Sequence, residues 1–177
     1  MRKLFYLLVM AIGLFMSSTS MAQDIYLKIN GIEGDVVQSG FLKQVEAMSF
    51  SQSANGCPVD VYTKTACKVV SSGFQFSMRH SIALRDLKKK FYEGLKISEI
   101  EVSFVSHGET PSIYYRIVLK DVLITTISES GSGGELPYIF IEFGPGSAEW
   151  FYYMQSNTWT WTPAGSFGWN FVKASPL

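Results

Sequence analysis

The sequence predicts a mainly β protein, a sandwich or barrel, on three observations. Ile113 to Ile127 is rich in Ile, Val, Leu, Tyr and Thr, side chains that suit a pleated surface. Glycine, proline and Asn-Gly turn signals separate further short runs of alternating apolar and polar residues. One segment alone, Ile82 to Glu93, repeats its apolar residues with helical spacing. The chain has 177 residues, 47% hydrophobic and 17% charged, which suits one folded domain and argues against disorder. A formal charge of zero leaves no chain-wide attraction for nucleic acid.

The first segment reads MRKLFYLLVMAIGLFMSSTSMAQD. A positive start at Arg2 and Lys3, an apolar run from Leu4 to Met16 and the junction Ser20-Met21-Ala22 form the pattern of a secretory signal peptide. Residues 1–22 are therefore expected to be removed and 23–177 to form the domain. The apolar run is short for a bilayer span, so no stable membrane anchor is expected after cleavage. Cys57 and Cys67 are the two cysteines, and in an exported protein they favour a disulfide. Such a bond stabilises a short loop by about 2–3 kcal/mol. A metal site is disfavoured, because two cysteines without a nearby histidine leave a zinc shell incomplete.

In chain order, Asp24 to Asn30 alternates Ile25, Leu27 and Ile29 against polar partners as a half-buried strand. Phe41 to Gln52 reads as a second strand, and residues 53–72 as a polar excursion with at most a short hairpin. A strand at Gly73 to Met78 precedes the helix, for which Ser81 is the expected N-cap and Gly94 the stop. Lys88 to Lys90 forms its solvated flank. Ile97 to Ser106 alternates again, and His107 to Ser112 turns into the long strand 113–127.

There Tyr115, Ile117 and Leu119 share a face, and the alternation stumbles at Lys120-Asp121. A β-bulge is expected to return Val122 and Ile124 to the inner side. The glycine-rich turn 128–135 leads to the apolar run Tyr138 to Phe143. Ala148 to Gln155, Thr158 to Thr162 and Ser166 to Val172 complete the strands.

Catalytic patterns are sparse. Gly131 to Gly134 lies between strands, without the following helix that a phosphate loop needs. His80 and His107 have no evident carboxylate or nucleophile arranged around them, and Glu99 and Glu101 share one strand face. No enzyme, metal or cofactor is expected. The aromatic surplus stands out: Trp150, Tyr152, Tyr153, Trp159 and Trp161 form a candidate binding or packing surface. Core or subunit packing and a platform for sugar rings both remain open readings.

LKDVLITTISESGSGGE, at residues 119–135, resembles the signature hairpin of the haemolysin-coregulated protein (Hcp) family, the tube subunits of bacterial type VI secretion systems. GSFGWNF at Gly165 to Phe171 is similar to that family's closing strand, and DIYLKINGIEGD at Asp24 to Asp35 to its first strand. The resemblance implies a β-barrel of two packed antiparallel sheets with one short α-helix alongside. It also implies six-membered rings that stack into a tube and carry cargo without catalysis. Tube subunits of the family lack a signal peptide. The leading expectation is therefore a secreted, non-enzymatic Hcp-like effector or binding protein in the periplasm or outside the cell. It would be exported by the general secretory route, with a type II system as a further exit, and would meet a secreted or host protein target. The rival is a ring-forming tube or cargo-carrying component that self-associates as a hexamer. A third reading, from the tryptophans, is a carbohydrate-binding module.

Overall fold

The computed structural model describes residues 23–55, 70–71, 73–106, 111–158 and 160–177. The segment 1–22 and Cys57, Cys67, His107 and Trp159 lie outside the described residues. Among the described residues the fold is built from antiparallel strands and one helix.

The spine is β8, Ser112–Ser130, a 19-residue strand that serves two sheets. Its first half pairs with β7 (Ile97–Ser106) on one side and β10 (Ser147–Gln155) on the other. Beyond β7 come β1 (Gln23–Ile29) and β2 (Val45–Ala47). Beyond β10 come β11 (Trp161–Asn170) and the two-residue β12 (Ser175–Pro176). The second half of β8 pairs with β9 (Tyr138–Gly144), which pairs with β6 (Phe74–Arg79), which pairs with β3 (Ser49–Ser51). A separate pair, β4 (Ala54–Asn55) with β5 (Val70–Ser71), forms the base of the polar excursion.

Two corners join the sheets. One is Met48, between β2 and β3, whose N–H donates to Ser77 O at 2.7 Å. The hydrogen-bonded wall is not continuous here, because β2 and β3 belong to different sheets. The expected arrangement of two packed antiparallel sheets with one helix alongside is present, and the wall of the barrel does not close here. The expected strand 41–52 is also shorter: Phe41 to Gln44 is a loop, and only 45–47 and 49–51 are strands.

The other corner is Asp121, where β8 passes from one sheet to the other. Ile117 and Leu119 are fully buried before it, and Val122 is fully buried after it, so the inward parity reverses as the sequence predicts. The means differ from a bulge. Pairing with β7 keeps one register through Glu99–Lys120 and Ile97–Val122, and the reversal comes from the left-handed backbone of Asp121, φ 52°. The register shift of β8 falls later, at Ile124/Thr126 against β9. Left-handed backbone is unfavourable for side chains with a Cβ and least so for Gly, Asn and Asp. Asp121→Val is expected to lower stability by about 1–2 kcal/mol, and Asp121→Gly to cost nothing or stabilise slightly. Guanidinium denaturation of both variants checks the sign.

The helix α1 spans Leu84–Glu93 and buries Leu84 and Leu87, with Phe91 packed beside the core. It begins two residues later than expected, with Ala83 at the N-cap and no side-chain cap. Ser81 instead accepts the Ala83 N–H at 3.3 Å and donates to Asp35, tying the helix entry to the loop after β1. Gly94 ends the helix in the left-handed conformation, φ 64°. Lys88 pairs with Glu129 of β8. Between the sheets, Leu27, Phe74, Ile100, Val102, Ile141 and Phe143 are fully buried with the residues already named. The two expected strands at 158–162 and 166–172 are largely one strand, β11, followed by the short β12.

Candidate functional site

The β10–β11 hairpin sorts the aromatic candidates onto opposite faces. Successive side chains of a strand alternate, so Trp150 and Tyr152 point inward while Phe151 and Tyr153 point outward. In register, Trp150 faces Phe167 and Tyr152 faces Gly165, and then the pairing slips so that Tyr153 faces Pro163 and Gln155 faces Trp161. That bulge brings Trp161 to the outer side with Tyr153. The candidates therefore form no single platform.

On the inner face, Trp150 is 8% exposed and belongs to the core. Its indole stacks on Phe167 at 5.5 Å and 22°, with Phe74 at 6.1 Å and Phe171 at 6.4 Å. Tyr152 lies 5.5 Å from Tyr115. Here the larger sheet extends past the smaller one and leaves an aromatic shelf: Tyr152 is 48% exposed and Phe167 50%. The open cleft of about 400 Å³ above it is bordered by Gln52, Ala54 and Ser71, and Gln52 donates to Ser71 at 3.1 Å. Phe167, Trp169 and Tyr115 were not among the sequence candidates. The alternation of Phe167 and Trp169 in GSFGWNF was the signal that could have found them.

On the outer face, Arg116 lies 4.4 Å from the centre of the Phe151 ring and 3.6 Å from Glu101. A small second cluster of Tyr26, Phe41 and Val105 covers the far end of this face, where Phe41 stacks on Tyr26 at 4.5 Å and 20°. Trp161 leans on Tyr114 at 5.7 Å. Between the Phe41 loop and the hairpin tip runs a second cleft of about 680 Å³. It is floored by Ile113 and walled by Gln38, Phe41, Tyr153 and Trp161.

Two phenols are held neutral. Burial, then the hydrogen bond to Asp24 at 2.8 Å and that carboxylate's charge, push Tyr26 above the ordinary phenol range. Burial, then the charge and hydrogen bond of Tyr152, do the same for Tyr115. A raised folded-state pKa stabilises the fold fully below the unfolded phenol value of about 10, and that stabilisation is lost as pH rises beyond it. The urea midpoint is expected to fall above about pH 10, with a shallower slope in Tyr115→Phe.

Other candidates stay dispersed. Glu99 and Glu101 neighbour each other on β7, opposite Lys120 and Val118, without the opposed geometry of a glycosidase pair. His80 is exposed, at the rim of a groove that also includes Asp24, Asp35 and Glu46. Among the described residues no cluster of His, Cys, Asp and Glu could hold a metal ion.

The scaffold is mainly β, with exposed aromatic side chains on the β10–β11 hairpin. A family model described as type VI secretion system effector, Hcp, matches residues 26–152, more than half of the chain. The chain belongs to the Hcp family of type VI secretion proteins. No curated protein matches the sequence. Among solved structures it is similar to a type six secretion system protein, with TM-score 0.82 and 19% identity over 88% of this chain and 100% of that one. It is also similar to Hcp1 from Salmonella typhimurium, with TM-score 0.72 and 19% identity over 89% and 100%. A type VI secretion system effector from Yersinia pestis gives TM-score 0.66 and 20% identity over 83% and 99%. At these identities the likeness is one of fold.

Proposed function

We propose that this protein is a ring-forming Hcp component that works by contact with copies of itself and with carried cargo. The observation that carries this reading is the aromatic shelf, where Phe167 and Tyr152 continue the core outward yet remain about half exposed. Aromatic surface of this kind concentrates binding energy when a partner covers it. A closed ring needs head-to-tail edges, so a second, different face of the neighbour must meet the shelf. The helix flank supplies exposed apolar residues for that role: Ile82, Tyr92 and Leu95. Light scattering after gel filtration tests the reading, with a mass of six copies expected and a single copy contradicting it.

Extracytoplasmic folding is the second reading, favoured by the Leu4 to Met16 run behind Arg2 and Lys3. This reading expects an N-terminus at Gln23 and a Cys57–Cys67 disulfide. Intact mass with and without reduction and alkylation checks both, and free thiols on a chain that retains Met1 would contradict it.

A further inference from the structure

We infer that the outer cleft between the Gln38–Phe41 loop and the β10–β11 tip binds a neutral saccharide. The site lies on the opposite face of the hairpin from the aromatic shelf, so it stands apart from ring formation. Its volume of about 680 Å³ falls within the usual range of small-molecule sites, about 300–1,000 Å³.

The chemistry of the walls selects the ligand class. Gln38, Ser39, Phe41, Ser112, Tyr153 and Trp161 line the cleft, and among the described residues its lining includes no charged side chain. A phosphate, carboxylate or ammonium ligand would lose hydration there with no countercharge in return. A purely apolar ligand would dry the amide and hydroxyl groups along the rim without replacing their hydrogen bonds. A sugar ring satisfies both demands, because its C–H face packs on an aromatic ring while its hydroxyls meet amides and hydroxyls at the edge.

The parts are also held in place. Trp161 is half-buried and backed by Tyr114, and Phe41 is stacked on Tyr26 and only 9% exposed. The Tyr26 hydroxyl sits 2.9 Å from Gln38 Oε1 and 2.8 Å from Asp24 Oδ2. With its single proton the phenol donates to one of these acceptors at a time, and the contact holds the Gln38 amide at the cleft wall, where a ligand hydroxyl would meet it. A preformed site of this kind loses little side-chain freedom when it is filled.

Tryptophan emission of the purified protein is titrated with three neutral probes: maltotriose, cellotriose and N,N′,N″-triacetylchitotriose. Trigalacturonate serves as the charged comparison. At least one neutral trisaccharide is expected to give a saturable change, with trigalacturonate at least about tenfold weaker. Calorimetric titration of the variants then locates the site. Trp161→Ala and Tyr153→Ala are each expected to weaken binding about tenfold, while Val172→Ala, exposed and outside the cleft lining, leaves it unchanged. Gln38→Ala, which keeps every aromatic ring, is expected to weaken it about fivefold and serves where Trp161→Ala disturbs folding. No saturation by any neutral probe at about 10 mM overturns the inference. So does affinity unchanged in both Gln38→Ala and Tyr153→Ala. Loss of the ring in light scattering with sugar binding intact contradicts only the assembly reading.

Discussion

Trp150→Ala is expected to lower the stability of the protein by about 3–5 kcal/mol, the cost of emptying a large aromatic site in a packed core. The indole lies against Phe74, Phe167 and Phe171, so its loss leaves three aromatic rings facing a void. Phe74 is fully buried and contacts Phe50 as well, which leads the damage into the β3–β6–β9 sheet. Tyr152→Ala, two residues along the same face, is expected to cost less than half as much because that ring is 48% exposed. Guanidinium midpoints of the two variants measured together check the contrast. Equal losses would mean that Trp150 is a surface residue, against its placement here.

Gly34→Ala is expected to cost about 1–3 kcal/mol, as an overpacked contact does, although the added group is only a methyl. A Cβ at Gly34 would lie 2.2 Å from Gln44 O and 2.8 Å from Val45 N, both backbone atoms that cannot rotate aside. The loop is tied at this point by Gly34 N–H to Lys43 O at 2.7 Å, Val36 N–H to Gln44 O at 3.1 Å and Lys43 N–H to Val36 O at 2.8 Å. To admit the methyl group these bonds must part, and Phe41 lifts from Tyr26 as the loop opens. Near-ultraviolet circular dichroism reports the loss of that stacked pair, and thermal midpoints report the energy. A variant with unchanged spectrum and midpoint would contradict the close approach.

What the sequence disclosed and what it withheld divide along a physical line. The spine was legible because its information is local: alternation over Ile113 to Ile127 sets the strand, and the misplaced Asp121 marks where the inner face must change sides. The helix end was legible because Gly94 alone takes the left-handed cap without strain. The Phe41 loop was not legible. Its apolar residues resemble a strand, and only the Gly34–Gln44 approach and the Tyr26 ring, both distant in sequence, turn Phe41 onto the outer face. The aromatic candidates were half legible. Alternation separates Tyr152 from Tyr153, but the pairing slip after Tyr152 decides which of them Trp161 joins, and that slip has no sequence mark stronger than Pro163 and Gly165. Uncovered inner surface near Phe167 depends on one sheet outrunning the other, which no single segment encodes.

The central claim is that the shelf around Phe167 is the surface through which copies of this chain join. Light scattering of the wild-type protein beside Phe167→Glu, at matched concentration, tests it most directly. A carboxylate at this half-exposed position is tolerated by a lone chain but must be desolvated when a neighbour covers it. The expected result is a six-copy particle for the wild type and a single copy for the variant, still folded by circular dichroism but with a lower melting temperature, because it loses both the ring and the Phe167 stack on Trp150. A variant that still forms the full ring would contradict the claim.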